Sequence, residues 1–218
     1  MTDNFLDRPH TAHDNGTVRQ GGARNSPVRI VAIGASAGGP QALHVIIRSL
    51  PPDLSAPILC VQHIGAGFLQ GLIDWLSLDS KLPIKIAEPG ERPVPGTVYF
   101  PQEGAHLLVN SKGLLWSSMD APVNGHRPSV TMTFRSVAEV FGKSAGAVLL
   151  TGMGNDGADG LKVLSDVGAL TIAQDEATSV VFGMPGSAIA LGAARFILPV
   201  EAIARMLVAQ VGTLGVQT

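Results

Sequence analysis

VRIVAIGASAGGP, residues 28–40, decides how the rest of the chain is read. Val28 to Gly34 is a β-branched apolar run, suited to a strand covered on both faces in a parallel sheet. Small residues follow (Ala35-Ser36-Ala37-Gly38-Gly39), and Pro40 opens a segment with Leu43, Ile46, Ile47 and Leu50 at helical spacing. Pro51-Pro52 stops that helix. Buried strand, tight turn and amphipathic helix together form the opening unit of an α/β sheet.

The unit recurs outward from there. PILCVQH (57–63) predicts a second buried strand, and residues 68–78 a helix with Phe68, Leu72, Trp75 and Leu76 on one side. PIKIAEP (83–89) predicts a shorter third strand. Between Gly90 and Ser118 the pattern turns to Gly/Pro turns and short runs, VYF, HLLV and LLWS, and predicts an antiparallel hairpin-like insertion or edge. Residues 128–141 resume a helix with Val130, Phe134, Val137 and Phe141 inward. AGAVLLTG (145–152) and ALTIAQD (169–175) predict buried strands around a helix over 160–167. Helices over 187–191 and 202–211 flank a strand at 194–199. The expected fold is a doubly wound, mostly parallel sheet flanked by helices, in one domain over 28–218. Residues 1–27 are polar and without period, and predict a disordered tail or linker.

Composition narrows the function. Of 218 residues, 45% are hydrophobic and 15% charged, which excludes disorder over most of the length. The net charge of −2 and the scatter of Lys and Arg argue against nucleic acid as a partner. Cys60 is the single cysteine, so neither an internal disulfide nor a cysteine metal cluster can form. No apolar run approaches the roughly 18 residues of a membrane span, and the N-terminus has no basic-then-apolar signal segment. A cytoplasmic protein without membrane insertion is expected.

Open α/β sheets bind ligands beyond the carboxyl ends of their strands. The first strand ends in Ser36, the second in His63, and the one at 145–152 runs into Thr151-Gly152-Met153-Gly154-Asn155-Asp156. A serine, a histidine and an aspartate at three such ends are the material of a nucleophile, a base and its orienting carboxylate. Glycines let the first turn expose its side chain, and the helix behind it offers unpaired N–H groups to an oxyanion. Gly34-Ala35-Ser36-Ala37-Gly38 fits the spacing of a G-x-S-x-G elbow, but the order Ser, His, Asp differs from that fold's order. Each residue also has a plainer role. The glycine turn can cradle a phosphate or nucleotide, although it lacks G-x-G-x-x-G spacing. His63 can be a satisfied histidine, and Asp156 can cap the helix that starts near Gly157. In His126-Arg127-Pro128-Ser129 the serine reads as a helix cap, with a site-lining role as the alternative. His10, His13, His44 and His106 show no metal-ligand spacing, and no metal or organic cofactor is expected.

Taken in order, IGASAGGP (33–40), VQHIGAGF (61–68), PGTVYFPQEGAHL (95–107), NGHRPSV (124–130), LLTGMGNDGADGL (149–161) and FGMPGSAI (182–189) closely resemble the catalytic domain of the chemotaxis receptor methylesterase family, CheB. The resemblance runs from about Val28 to about Val211. It implies a Ser-His-Asp triad at Ser36, His63 and Asp156, with oxyanion donors at the backbone N–H groups of Ala37 and Met153. It also implies hydrolysis of glutamyl methyl esters on the cytoplasmic helices of chemoreceptors, releasing methanol, with deamidation of receptor glutamines as a companion activity. Ala37 stands where the family commonly has Thr, which suffices if only a backbone group is used. Ile64-Gly65-Ala66-Gly67 replaces the usual Met-Pro-Pro-Gly, a change expected to alter loop stiffness and peptide fit. Only 27 residues precede Val28, whereas a receiver domain needs about 120, so the expectation is a catalytic domain without one. Two alternatives stand beside the receptor esterase: the same machinery on a different ester, and a nucleotide- or phosphate-binding module on this fold.

Overall fold

The computed structural model of the chain describes residues 27–214, so the expected tail over 1–27 lies, apart from Pro27, outside the described residues. β1 (Ile30–Ala35) leads through α1 (Gly39–Arg48) to β2 (Ile58–Gln62), α2 (Leu69–Ser77), β3 (Ile84–Ile86) and β4 (Val98–Phe100). An outlying pair follows, β5 (His106–Val109) and β6 (Leu115–Ser118), then α3 (Val130–Phe141) and a 3₁₀ turn at Gly142–Ser144. β7 (Ala145–Leu149), α4 (Ala158–Asp166), β8 (Leu170–Gln174), α5 (Met184–Ala190), β9 (Phe196–Leu198) and α6 (Val200–Val211) complete the order.

Seven strands form one sheet in the order β3-β4-β2-β1-β7-β8-β9, and every pairing in it is parallel. Every residue of β1 is buried, as its unbroken apolar character requires. Its alternating side chains feed two cores. Val31 and Ile33 pack with Leu43, Ile46 and Ile47 of α1 and with α2 and α6. Ile30 and Ala32 pack with Val130, Phe134 and Val137 of α3 and with Leu161 and Leu164 of α4. Full burial of each such aliphatic side chain contributes about 1.5–3 kcal/mol, so both helical layers are held by the same strand.

One element departs from the sequence reading. VYF, read there within the antiparallel insertion, is β4, a parallel strand between β3 and β2. Val98, Tyr99 and Phe100 are fully buried, so both faces are covered as in any inner strand. The Gly/Pro turns around them serve a connection, not a hairpin. Among the named strands antiparallel pairing is confined to β5 and β6, from His106↔Ser118 to Val109↔Leu115. That pair is fastened to α3 by Thr133 Oγ1 donating to Leu107 O (2.7 Å) and Val109 N donating to Ser136 Oγ (3.1 Å).

After β1 the chain moves to β2 on one side, while β7 leads to β8 on the other. The crevice beyond the carboxyl ends of β1 and β7 is therefore the topological switch point, where such sheets bind ligands. α3 approaches this point closely because β1 carries Gly34, where an added Cβ would lie 2.2 Å from Val130 Cγ1. Gly157, at φ 92°, leaves room for the same valine from the β7 side.

Candidate active site

Asp156 stands in the loop after β7 and is 1% exposed. Four donors fill its carboxylate. Oδ1 accepts from Ser129 Oγ (2.9 Å) and Thr131 N (3.1 Å), and Oδ2 from Val130 N (2.8 Å) and His63 Nε2 (2.9 Å). Val130 and Thr131 begin α3, so the carboxylate takes two of the amides that a helix N-terminus leaves unpaired. Ser129 is the N-cap of that helix, and its hydroxyl also accepts from Met132 N. Burial alone would push the Asp156 pKa up. The bonds from His63, the Thr131 and Val130 amides and Ser129 outweigh it and hold the carboxyl well below the usual carboxylate range. Asp156 thus caps a helix, as its plainer reading required, but the helix is α3 rather than the one it precedes.

His63 follows β2. Its N–H donates to Ala35 O (3.0 Å), and the Gln62 amide spans Ser36 O and His63 O (2.8 Å each), tying the ends of β1 and β2 together. Because Asp156 is ionised, the proton between them belongs to the ring, and Nε2–H donates to Oδ2. Nδ1 then carries the lone pair of the neutral imidazole. It is buried and has no hydrogen-bond partner. Among the described residues only one other buried side-chain polar atom lacks a partner, Gln62 Oε1, also at the end of β2. Concentration of unsatisfied acceptors at one strand end marks a functional position rather than scattered packing defects. The ring of His126 lies flat on that of His63, with centroids 4.0 Å apart and planes 3° from parallel.

Ser36 follows β1, half-buried, with its N–H donating to Thr151 O (3.0 Å). Its Cβ lies against Gly152, where a side chain would stand 2.7 Å from it and 2.2 Å from Met184 Sδ. Thr151 clamps the turn: Oγ1 donates to Ala37 O (2.9 Å) and accepts from Val181 N (2.9 Å), while its N–H is held by Gln174 Oε1 (2.8 Å). Gly152 O receives both Gly183 N (3.0 Å) and Met184 N (2.9 Å). Ser36 Oγ makes no hydrogen bond among the described residues, so the expected chain is closed between Asp156 and His63 and open between His63 and Ser36. The N–H groups of Ala37 and Met153 have no acceptor among the described residues either, and Met153 is 75% exposed.

Ser36, His63 and Asp156 therefore stand at the ends of three strands, β1, β2 and β7, around the switch point. Ser129, read as a cap, is both cap and carboxylate holder, and His126 lines the site. Roles of three other residues escaped the sequence reading. Gln62 and Thr151 fasten the turns, and fully buried His106 accepts Ser129 N on Nδ1 (3.1 Å). For Gln62 and Thr151 the available signal was their position at strand ends beside named site residues, whereas His106 opens β5 with none beside it. Among the described residues no group of three or more His, Cys, Asp or Glu is placed to hold a metal ion.

This is a doubly wound α/β domain whose polar centre occupies the ligand crevice of its sheet. Residues 31–207 match the family model for CheB methylesterase, and the chain belongs to that family. A protein-glutamate methylesterase/protein-glutamine glutaminase of Nitrosospira multiformis is 50% identical over 184 residues, 84% of this chain and 52% of that protein. A similarly named protein of Syntrophus aciditrophicus is 48% identical over 186 residues, 85% of this chain and 53% of its own length. The chain thus spans about half the length of the curated relatives it matches. The crystal structure of the Thermotoga maritima CheB methylesterase catalytic domain superimposes with a TM-score of 0.81 at 40% identity, over 83% of this chain and 97% of that one.

Proposed function

We propose that this domain is a serine hydrolase that removes methyl esters from glutamate side chains of chemoreceptor cytoplasmic helices. Ser36 Oγ attacks the ester carbonyl while His63 Nδ1 takes its proton, and Asp156 holds the opposite nitrogen and stabilises the imidazolium. Ring nitrogens are used in the reverse sense to the serine proteases, where the serine faces Nε2. The negative charge on the tetrahedral oxygen falls to the N–H groups of Ala37 and Met153, each worth about 3 kcal/mol in comparable sites. When the C–OCH₃ bond breaks, the imidazolium proton leaves with the methoxide as methanol. Water, deprotonated by the same nitrogen, then splits the acyl-serine to give the glutamate carboxylate and free serine. A glutamine side chain entering the same cycle would release ammonia, which is the deamidase activity carried in the names of the relatives.

One observation carries the proposal. His63 Nε2 is fixed on an ionised, fully satisfied Asp156, and its buried Nδ1 stands unpartnered at the strand end beside Ser36. The serine–imidazole bond is open here, and such bonds tighten when substrate excludes water. A phosphate cradle in the turn after β1 is less favoured because Gly39 N, one amide it would need, donates to Ser36 O (2.8 Å). Among the described residues no helix is long and apolar enough to cross a membrane. Methanol release from methylated receptor cytoplasmic fragments tests the reading. The wild-type chain is expected to release it, and Ser36→Ala to fall by about 10⁴-fold or more. Undiminished release by that variant overturns the nucleophile assignment. Equal kcat/KM for small unrelated esters would move the substrate away from receptors.

A further inference from the structure

The bond to Asp156 fixes one atom of the His63 ring, but a ring held at one atom can still tilt about it. A second contact lies on the face of that ring, its stack with His126. Parallel offset stacking is one of the arrangements that aromatic pairs favour, and here the planes lie within 3° of parallel with centroids 4.0 Å apart. The backbone that carries His126 is tightly built. Val123 N donates to His126 O (3.1 Å) and His126 N to Val123 O (2.9 Å), closing a turn whose two inner residues, Asn124 and Gly125, are left-handed at φ 51° and 81°. Arg127 Nη1 then anchors the segment on Met119 O (3.1 Å) and Asp120 O (3.3 Å). Three residues beyond His126, the same segment supplies Ser129, Val130 and Thr131 to the carboxylate of Asp156.

We infer that His126 is a positioning residue for the hydrolase proposed above, fixing the plane of the His63 ring so that Nδ1 stays aimed at Ser36 while Nε2 stays on Asp156. The inference rests on that functional reading but acts through a ring contact that can be measured separately. Residues 123–131 thereby set both constraints on the base, the plane through His126 and the pivot through Asp156. His126 makes its stack as a neutral ring. Burial and the neighbouring His63 lower its proton affinity, with Asp156 acting in the opposite sense. The groups facing it are His63 from the loop after β2 and Asp156 from the loop after β7, and Arg127 beside it is engaged with main-chain carbonyls. Protonated His126 would set a positive charge against the face of the base that must itself become an imidazolium.

Two variants of the full chain test this, His126→Ala, which removes the stack, and His126→Phe, which keeps a flat ring and removes the titration. Hydrolysis of p-nitrophenyl acetate is one readout, and the His63 Nε2–H proton resonance is a second that needs no turnover. His126→Ala is expected to lose about 10- to 100-fold in kcat with KM within about twofold, the scale of a misplaced catalytic group. Its Nε2–H resonance should broaden or disappear. His126→Phe should recover kcat to within a few-fold and keep the resonance, with a shallower loss of rate on the acid side than wild type. A His126→Ala variant with wild-type kcat and an unchanged resonance overturns the inference, as does a folded His126→Phe as impaired as His126→Ala. Hydrolysis that survives Ser36→Ala would instead refute the functional reading, and the resonance alone would then decide the role of His126.

Discussion

The carboxylate half of the site and the serine half are built on opposite terms. Around Asp156 every oxygen is occupied, by a helix cap, two helix amides and an imidazole, and the group is almost wholly buried. Around Ser36 the groups that matter are unspent: the hydroxyl, the lone pair of His63 Nδ1, and the N–H groups of Ala37 and Met153. The finished half carries the cost of organisation during folding, and the open half keeps its donors and acceptors for substrate. Preorganised polar groups aimed at developing charge do most of the work in such centres. Different elements complete the two halves, although the loop after β7 supplies a residue to each, Asp156 and Met153. α3 completes the first, whereas loops after β1, β7 and β8, clamped by Thr151, form the second.

Disturbing the finished half should have its larger effect on catalysis. Asp156→Asn preserves the size of the side chain but removes the charge that keeps the ring proton on Nε2. A loss of about 10⁴ in kcat is expected, by analogy with the corresponding change in a protease triad, and steady-state kinetics on a small ester would measure it. A loss under tenfold would show that the cradle is structural only. The smaller effect is on stability. Because the folded pKa of Asp156 is depressed, its contribution is fully present above the unfolded carboxylate value near 4 and is lost as pH falls towards the lower folded value. The Tm of the wild type should therefore fall on acidification below about pH 4, and Asp156→Asn should lack that part of the fall. Parallel Tm profiles for the two proteins would contradict it.

The same contrast separates what the sequence announced from what it hid. β1, β2, β7 and β8 were legible because strands buried on both faces must be apolar runs, and the residues leaving β1, β2 and β7 are Ser36, His63 and Asp156 or its loop. β4 was not, since three buried residues between Gly/Pro turns look like hairpin punctuation until their neighbours are known. His63 and Asp156 are 93 positions apart. Nothing local to either indicates that α3 brings its N-terminus onto the Asp156 carboxylate, which ring nitrogen each neighbour takes, or that His126 lies over the imidazole. Those facts arise from tertiary approach, made possible by the missing side chains at Gly34 and Gly157.

The most direct measurement is covalent labelling of the serine half. Treatment of the intact chain with a fluorophosphonate, read by intact and peptide mass, should add a single label at Ser36, with the rate lowered at least about 100-fold in His63→Ala, within the contribution of a general base. Label on another residue, or an unchanged rate at Ser36 without the imidazole, would contradict a serine activated by His63.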